Sequence, residues 1–149
     1  MKIVALITWI LAALAGLYLV AIWLIEYDRD YQRSRATRLP VPVVSLHALL
    51  ALAGLILWVS NFLLNQARLV WAALAILAVV AVLGLTMALR WLTVYRSTPD
   101  PAMVPAGAPG TWPVVPAERH FPLSVVIWHG FFAVATVVVV ALTALGVSL

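Results

Sequence analysis

PVPVVSLHALLALAG occupies residues 40–54, and PLSVVIWHGFFAVAT occupies residues 122–136. At an offset of 82, Pro40, Val43, Val44, His47, Ala51 and Ala53 fall on Pro122, Val125, Val126, His129, Ala133 and Ala135. Each segment opens on a proline, turns apolar at once and carries one histidine seven residues in. Proline at a helix start loses nothing, because the first N–H groups of a helix have no intrahelical partner. Both stretches therefore predict apolar helices that begin at the proline and carry a single imidazole inward.

Composition says where such helices belong. The chain has 149 residues, of which 66% are hydrophobic and 9% charged, whereas a soluble domain carries about 25% charged residues. It cannot cover a water-facing surface, so the expectation is one integral membrane domain over residues 1–149, set in a cell (plasma or inner) membrane. The net charge of +4 does not point to nucleic acid, because the basic residues flank apolar runs, where they orient a membrane protein. There is no cysteine, which removes disulfides, thiolate metal sites and iron–sulfur ligation together.

A membrane-crossing helix needs about 20 apolar residues. The sequence supplies four such spans, at about 3–25, 41–64, 69–92 and 123–145. Ala13-Leu14-Ala15 resembles a signal-peptide cleavage site, but the apolar run continues to Ile25, so the first span is expected to stay uncleaved. The short link at Asn65–Arg68 makes spans two and three antiparallel neighbours. Two longer loops, at 26–39 and 97–121, lie on one side. The second holds six prolines, Pro99, Pro101, Pro105, Pro109, Pro113 and Pro116, a composition for an extended segment. Arg29, Arg33, Arg35, Arg38, Arg90, Arg96 and Arg119 lie on that side, against Lys2 and Arg68 on the other. This bias predicts cytoplasmic long loops with both termini outside.

The repeat reaches the other two spans. Gly16, Leu17, Trp23, Leu24 and Tyr27 match Gly84, Leu85, Trp91, Leu92 and Tyr95 at an offset of 68. Matches of Trp, Tyr, Gly, Pro and His are uncommon in such a chain, and they fall in register. The expected fold is an all-α, four-helix membrane bundle, internally duplicated as two parallel two-helix repeats about an axis along the membrane normal.

That symmetry would bring His47 and His129 to equal depth, about 10 Å in from the loop side at 1.5 Å per residue. Spans two and four would sit diagonally, roughly 11–14 Å apart for neighbours at 8–10 Å, which leaves room for two imidazoles with one atom between them. Ala51 and Ala133 follow one turn beyond the histidines, on the same face. Gly54 and Thr136 follow after two turns, and together these residues suggest a groove of small side chains for a planar ligand. Ionisable residues inside spans are functional candidates by default, and imidazole suits iron, copper and zinc. Two imidazoles are too few for a closed zinc site but suffice as axial ligands of haem iron. Arg35, Arg38 and Arg119, in the loops just above, could pair with propionates.

In these features the chain resembles four-helix membrane haem b proteins of the cytochrome b kind, and is similar to one half of a haem A synthase. The resemblance implies one haem b, with His47 and His129 as axial ligands, Gly16 and Gly84 as packing positions beside it, and a role in electron transfer. The residues alone leave a plainer reading open. The histidines can be hydrogen bonds between helices, worth about 0.6 kcal/mol on average in a membrane. The chain is then a non-enzymatic subunit or assembly protein of a larger complex, docking through its proline-rich loop. The partners expected are the lipid bilayer and a membrane protein or a second copy of the chain. Trp23, Trp91, Tyr27 and Tyr95 read as an interfacial aromatic belt. No carboxylate pair, phosphate loop or activated serine is visible, so a stand-alone enzyme is not expected.

Overall fold

The two proline-led segments start their helices in the same way. Val43 and Val44 donate to the Pro40 carbonyl at 3.0 and 3.2 Å, and Val125 and Val126 donate to the Pro122 carbonyl at 3.0 and 3.2 Å. Each proline stands in extended geometry just ahead of the first helical residue. The computed structural model describes residues 1–27, 39–97 and 116–147. It contains four long helices: α1 (Lys2–Ile25), α2 (Val41–Leu64), α3 (Ala67–Arg96) and α4 (Leu123–Ala144). A 3-10 turn at Ala117–His120 leads into α4. The remainder of both long loops, Arg35 and Arg38 included, lies outside the described residues.

Helix α3 begins two residues before the expected apolar span and ends four residues after it. Hydropathy marks what hydrocarbon tolerates, whereas backbone hydrogen bonding continues into a polar zone. Buried Trp91 and Val94 hold the last turns of α3 against the bundle. Between α2 and α3 the chain reverses at Asn65, whose φ of 47° is left-handed geometry that asparagine tolerates better than other non-glycine residues. Its carbonyl side-chain oxygen accepts a hydrogen bond from Lys2 Nζ at 2.6 Å, which ties the start of α1 to this turn.

The helices pack as two close antiparallel pairs, α1 with α4 and α2 with α3, with looser contacts between α3 and α4 and between α1 and α2. Among the described residues, α2 and α4 do not touch through their backbones, nor do α1 and α3. The histidine helices therefore occupy one diagonal and the glycine-bearing helices the other. Away from the long loops the core is Trp9, Trp58, Ala5, Val70, Ala73, Leu77 and Val140. Trp58 donates its indole N–H to the Lys2 carbonyl at 3.3 Å. Near the loops a second cluster joins Trp23, Leu39, Val44 and Ala117. All four helices are long and apolar enough to cross a membrane. Their outward faces carry large apolar side chains, with Leu63 84% and Ile25 79% exposed.

Candidate functional site

His47 and His129 meet between the diagonal helices, with ring centroids 6.2 Å apart and planes inclined at 63°. A hydrogen bond to the backbone of a neighbouring helix fixes each ring. His47 Nδ1 lies 3.0 Å from the Val80 carbonyl of α3, and His129 Nδ1 lies 2.9 Å from the Ala12 carbonyl of α1. A carbonyl only accepts, so Nδ1 carries the proton in both rings. In the neutral imidazole the lone pair is then on Nε2, a tautomer that can ligate a metal.

The two glycines make these bonds possible. In an α-helix the residue four positions on donates to a given carbonyl, and Cβ tilts towards the helix N-terminus. A side chain at position 16 would therefore overhang the Ala12 carbonyl, and one at position 84 the Val80 carbonyl. A Cβ added at Gly16 would stand 2.9 Å from His129 Cε1, 3.2 Å from Nδ1 and 3.8 Å from Nε2. One added at Gly84 would stand 3.0 Å from His47 Cε1 and 3.6 Å from Nδ1. Each glycine thus admits the Nδ1–Cε1 edge of an imidazole, and at Gly16 the ring's Nε2 is the farthest of the three atoms. In this structure the glycines make room for the histidines themselves.

The contacts recur in the register of the sequence. Val80 follows Ala12 by 68 residues, as Gly84 follows Gly16, and His129 follows His47 by 82. Trp23 packs on Tyr27 with centroids 4.9 Å apart, and Trp91 packs on Tyr95 at 5.1 Å, again 68 residues on. The match is looser away from the loops. Gly54 is covered by the ring of Trp9, where an added Cβ would be 3.0 Å from Cζ2. At the equivalent place Thr136 donates to the Phe132 carbonyl at 2.7 Å and pairs with the Thr8 hydroxyl at 3.0 Å. Ala51 and Ala133 remain half-buried one turn from the histidines. The expected groove of small residues is accordingly short, and Trp9 and Thr136 close it.

One expectation for the loop end changes. Trp23 and Trp91 are not belt residues: they are only 5% and 6% exposed. Neither indole N–H has a hydrogen-bond partner among the described residues, and leaving such a donor buried and unpaired costs about 1–3 kcal/mol. Arg119 bonds to the backbone at the end of α3. Its guanidinium donates to the carbonyls of Val94 at 3.2 Å and Ser97 at 2.7 Å, so it caps the C-terminus of α3. Glu118, beside it, is fully buried, which nothing in its local sequence announced. Trp128 stays outward, 56% exposed, and packs on Phe131 and Phe132.

No group of three or more His, Cys, Asp or Glu side chains converges among the described residues. The histidine pair is the one pair of imidazoles that the fold brings together among the described residues. Compared with known proteins, the chain matches no family model, no curated protein and no solved structure.

Proposed function

We propose that the chain is an integral membrane protein that holds one haem b between His47 and His129 and serves in electron transfer. The observation that carries the reading is the 6.2 Å separation of the two rings. An imidazole nitrogen binds a metal at about 2.0–2.1 Å, so two rings this close are within reach of one shared metal ion. The donor set fits as well. Both Nδ1 atoms are committed to carbonyls, which leaves two neutral Nε2 lone pairs. A bare zinc ion would lack half of its four ligands, whereas a porphyrin brings four nitrogens of its own.

Bound there, haem iron would supply one-electron chemistry. The work of this chain's residues is to position and to insulate. The Val80 and Ala12 carbonyls hold the tautomer and the tilt of each ring. Gly16 and Gly84 let the rings approach their helices. Trp9, Trp58 and Leu77 shut water out on the side away from the long loops.

The apolar exterior supports membrane insertion, since contiguous apolar surface on this scale has no place in water. The arginine bias supports cytoplasmic long loops and outside termini. Equivalent helix starts, histidine bonds and Trp–Tyr pairs at offsets of 68 and 82 support two duplicated halves. A quinone or a membrane redox protein is the partner class that such a carrier would serve.

The test is the visible absorption spectrum of the purified protein, expressed with a haem precursor, before and after dithionite. A sharp Soret band with split α and β bands on reduction is expected. A protein that stays colourless even after haem is added would overturn the reading, and would return both histidines to helix packing.

A further inference from the structure

The two orphaned indoles stand in a defined relation to the histidine pair. Trp23 lies seven residues beyond Gly16 on α1, and Trp91 lies seven beyond Gly84 on α3. Seven residues are nearly two helical turns, so each tryptophan shares the face of its glycine, about 10 Å nearer the loops. Both point into the bundle. Trp23 belongs to the buried cluster with Val44, one turn before His47, and Met87 of α3 packs on that cluster. Both indole N–H groups are buried and unpaired among the described residues. One such donor could be incidental. Two at equivalent positions on the helices of the second diagonal indicate a ligand with two acceptor groups.

We infer that Trp23 and Trp91 are binding residues that donate their indole N–H groups to the two carboxylates of the molecule held by His47 and His129. This inference rests on the haem reading and deepens it, since it fixes which way round the ligand lies. The two propionates of haem b leave one edge of the porphyrin, one on each side of the ring's midline. With the histidines on one diagonal, the indoles of α1 and α3 lie on the other, one on each side of the symmetry axis. The carboxylate edge then faces the long loops. The opposite direction is closed by Trp9, whose ring covers Gly54, and by the apolar core around Trp58. Indole is a donor only, and a donor held in a dry site bonds strongly to an ionised carboxylate. Arg119, by contrast, spends Nη1 on the carbonyls of Val94 and Ser97 at the end of α3.

The test compares two probes on the full-length chain in detergent: ferric haem b and its dimethyl ester, in which both carboxylates are blocked. The wild-type protein should bind haem b at least tenfold more tightly than the ester. Trp23→Phe and Trp91→Phe keep an aromatic ring in place while removing the N–H. Each should weaken haem b about tenfold, the loss expected for one hydrogen bond to a charged group, and leave ester binding unchanged. Equal affinity of the wild-type protein for the two probes would overturn the inference while leaving the haem reading intact, and that comparison needs no variant to fold. Equal weakening of both probes by the substitutions would also overturn it, by showing a packing role. Failure of both probes to give a six-coordinate spectrum in the wild-type protein would overturn the haem reading and this inference with it.

Discussion

Gly16→Ala places one methyl group against the site. Its Cβ would lie 2.9 Å from His129 Cε1 and 3.2 Å from Nδ1, whereas carbon atoms pack at about 3.5–4.0 Å. The ring must retreat by about half an ångström or more to reach that contact distance. It cannot do so freely, because Nδ1 is bonded to the Ala12 carbonyl at 2.9 Å on the same side. Retreat lengthens that bond towards its limit, and staying keeps the clash. Overpacking of this kind costs about 1–3 kcal/mol, and an interhelical hydrogen bond in a membrane protein is worth up to about 1.7 kcal/mol. We expect a net loss of about 2 kcal/mol, a roughly 30-fold weaker haem affinity. Gly84→Ala should do less, since its nearest atoms lie at 3.0 and 3.6 Å; about 1 kcal/mol is expected there, at the low end of overpacking. Gly130→Ala is the internal control. It adjoins His129 in sequence, but an added Cβ meets nothing within 4 Å, so it should be neutral or gain up to about 1 kcal/mol of helix propensity. The assay is haem titration followed in the Soret region, with unfolding in mixed micelles alongside. Wild-type affinity in Gly16→Ala, or equal damage from Gly130→Ala, would refute the steric argument.

Three further outcomes follow from the same contacts. Thr136→Val removes the bond to Thr8 and should lower stability by about 0.6 kcal/mol, the membrane average, with no spectral change; a loss of several times that size in denaturant titration would count against it. Trp9→Ala empties the space over Gly54 beside Trp58, and should destabilise the bundle by about 3–5 kcal/mol, read as an earlier unfolding midpoint; a midpoint within error of wild type would show that this core is not formed. Alkaline phosphatase fused after α4 should be active, and the same enzyme inserted in the loop at 97–121 inactive. The reverse pattern would invert the proposed orientation.

The long apolar runs and their proline starts made the four helices legible, because an apolar run of about 20 residues that is long enough to cross a bilayer can satisfy all its backbone groups internally as a helix. The histidine pair was legible for a different reason. Residues that recur in register are expected at equivalent levels of a bundle, and His47 and His129 do meet, with ring centroids 6.2 Å apart. The direction of the tryptophans was not legible. Trp23 and Trp91 end apolar spans near arginines, and residues at an interface read the same whether they face lipid or protein. Only their spacing of seven from Gly16 and Gly84 placed them on the inner face, a clue that periodicity offered and composition hid. The role of the glycines shifted for a similar reason: spacing shows that room is needed, and only contacts show that an imidazole edge takes it. The carbonyls that Arg119 caps belong to the end of α3, more than twenty residues away, and no local pattern announces that contact. Trp9 filling the notch at Gly54 is a tertiary fact that no local pattern encodes.

The most direct test of the central claim is an equilibrium haem titration of the full-length chain beside His47→Ala and His129→Ala, with the coordination state read from the absorption spectrum. The wild-type protein should saturate at one haem per chain with a six-coordinate spectrum, and each single variant should lose six-coordination. A wild-type protein that never saturates, or variants that bind haem with an unchanged six-coordinate spectrum, would contradict a cofactor held between these two rings.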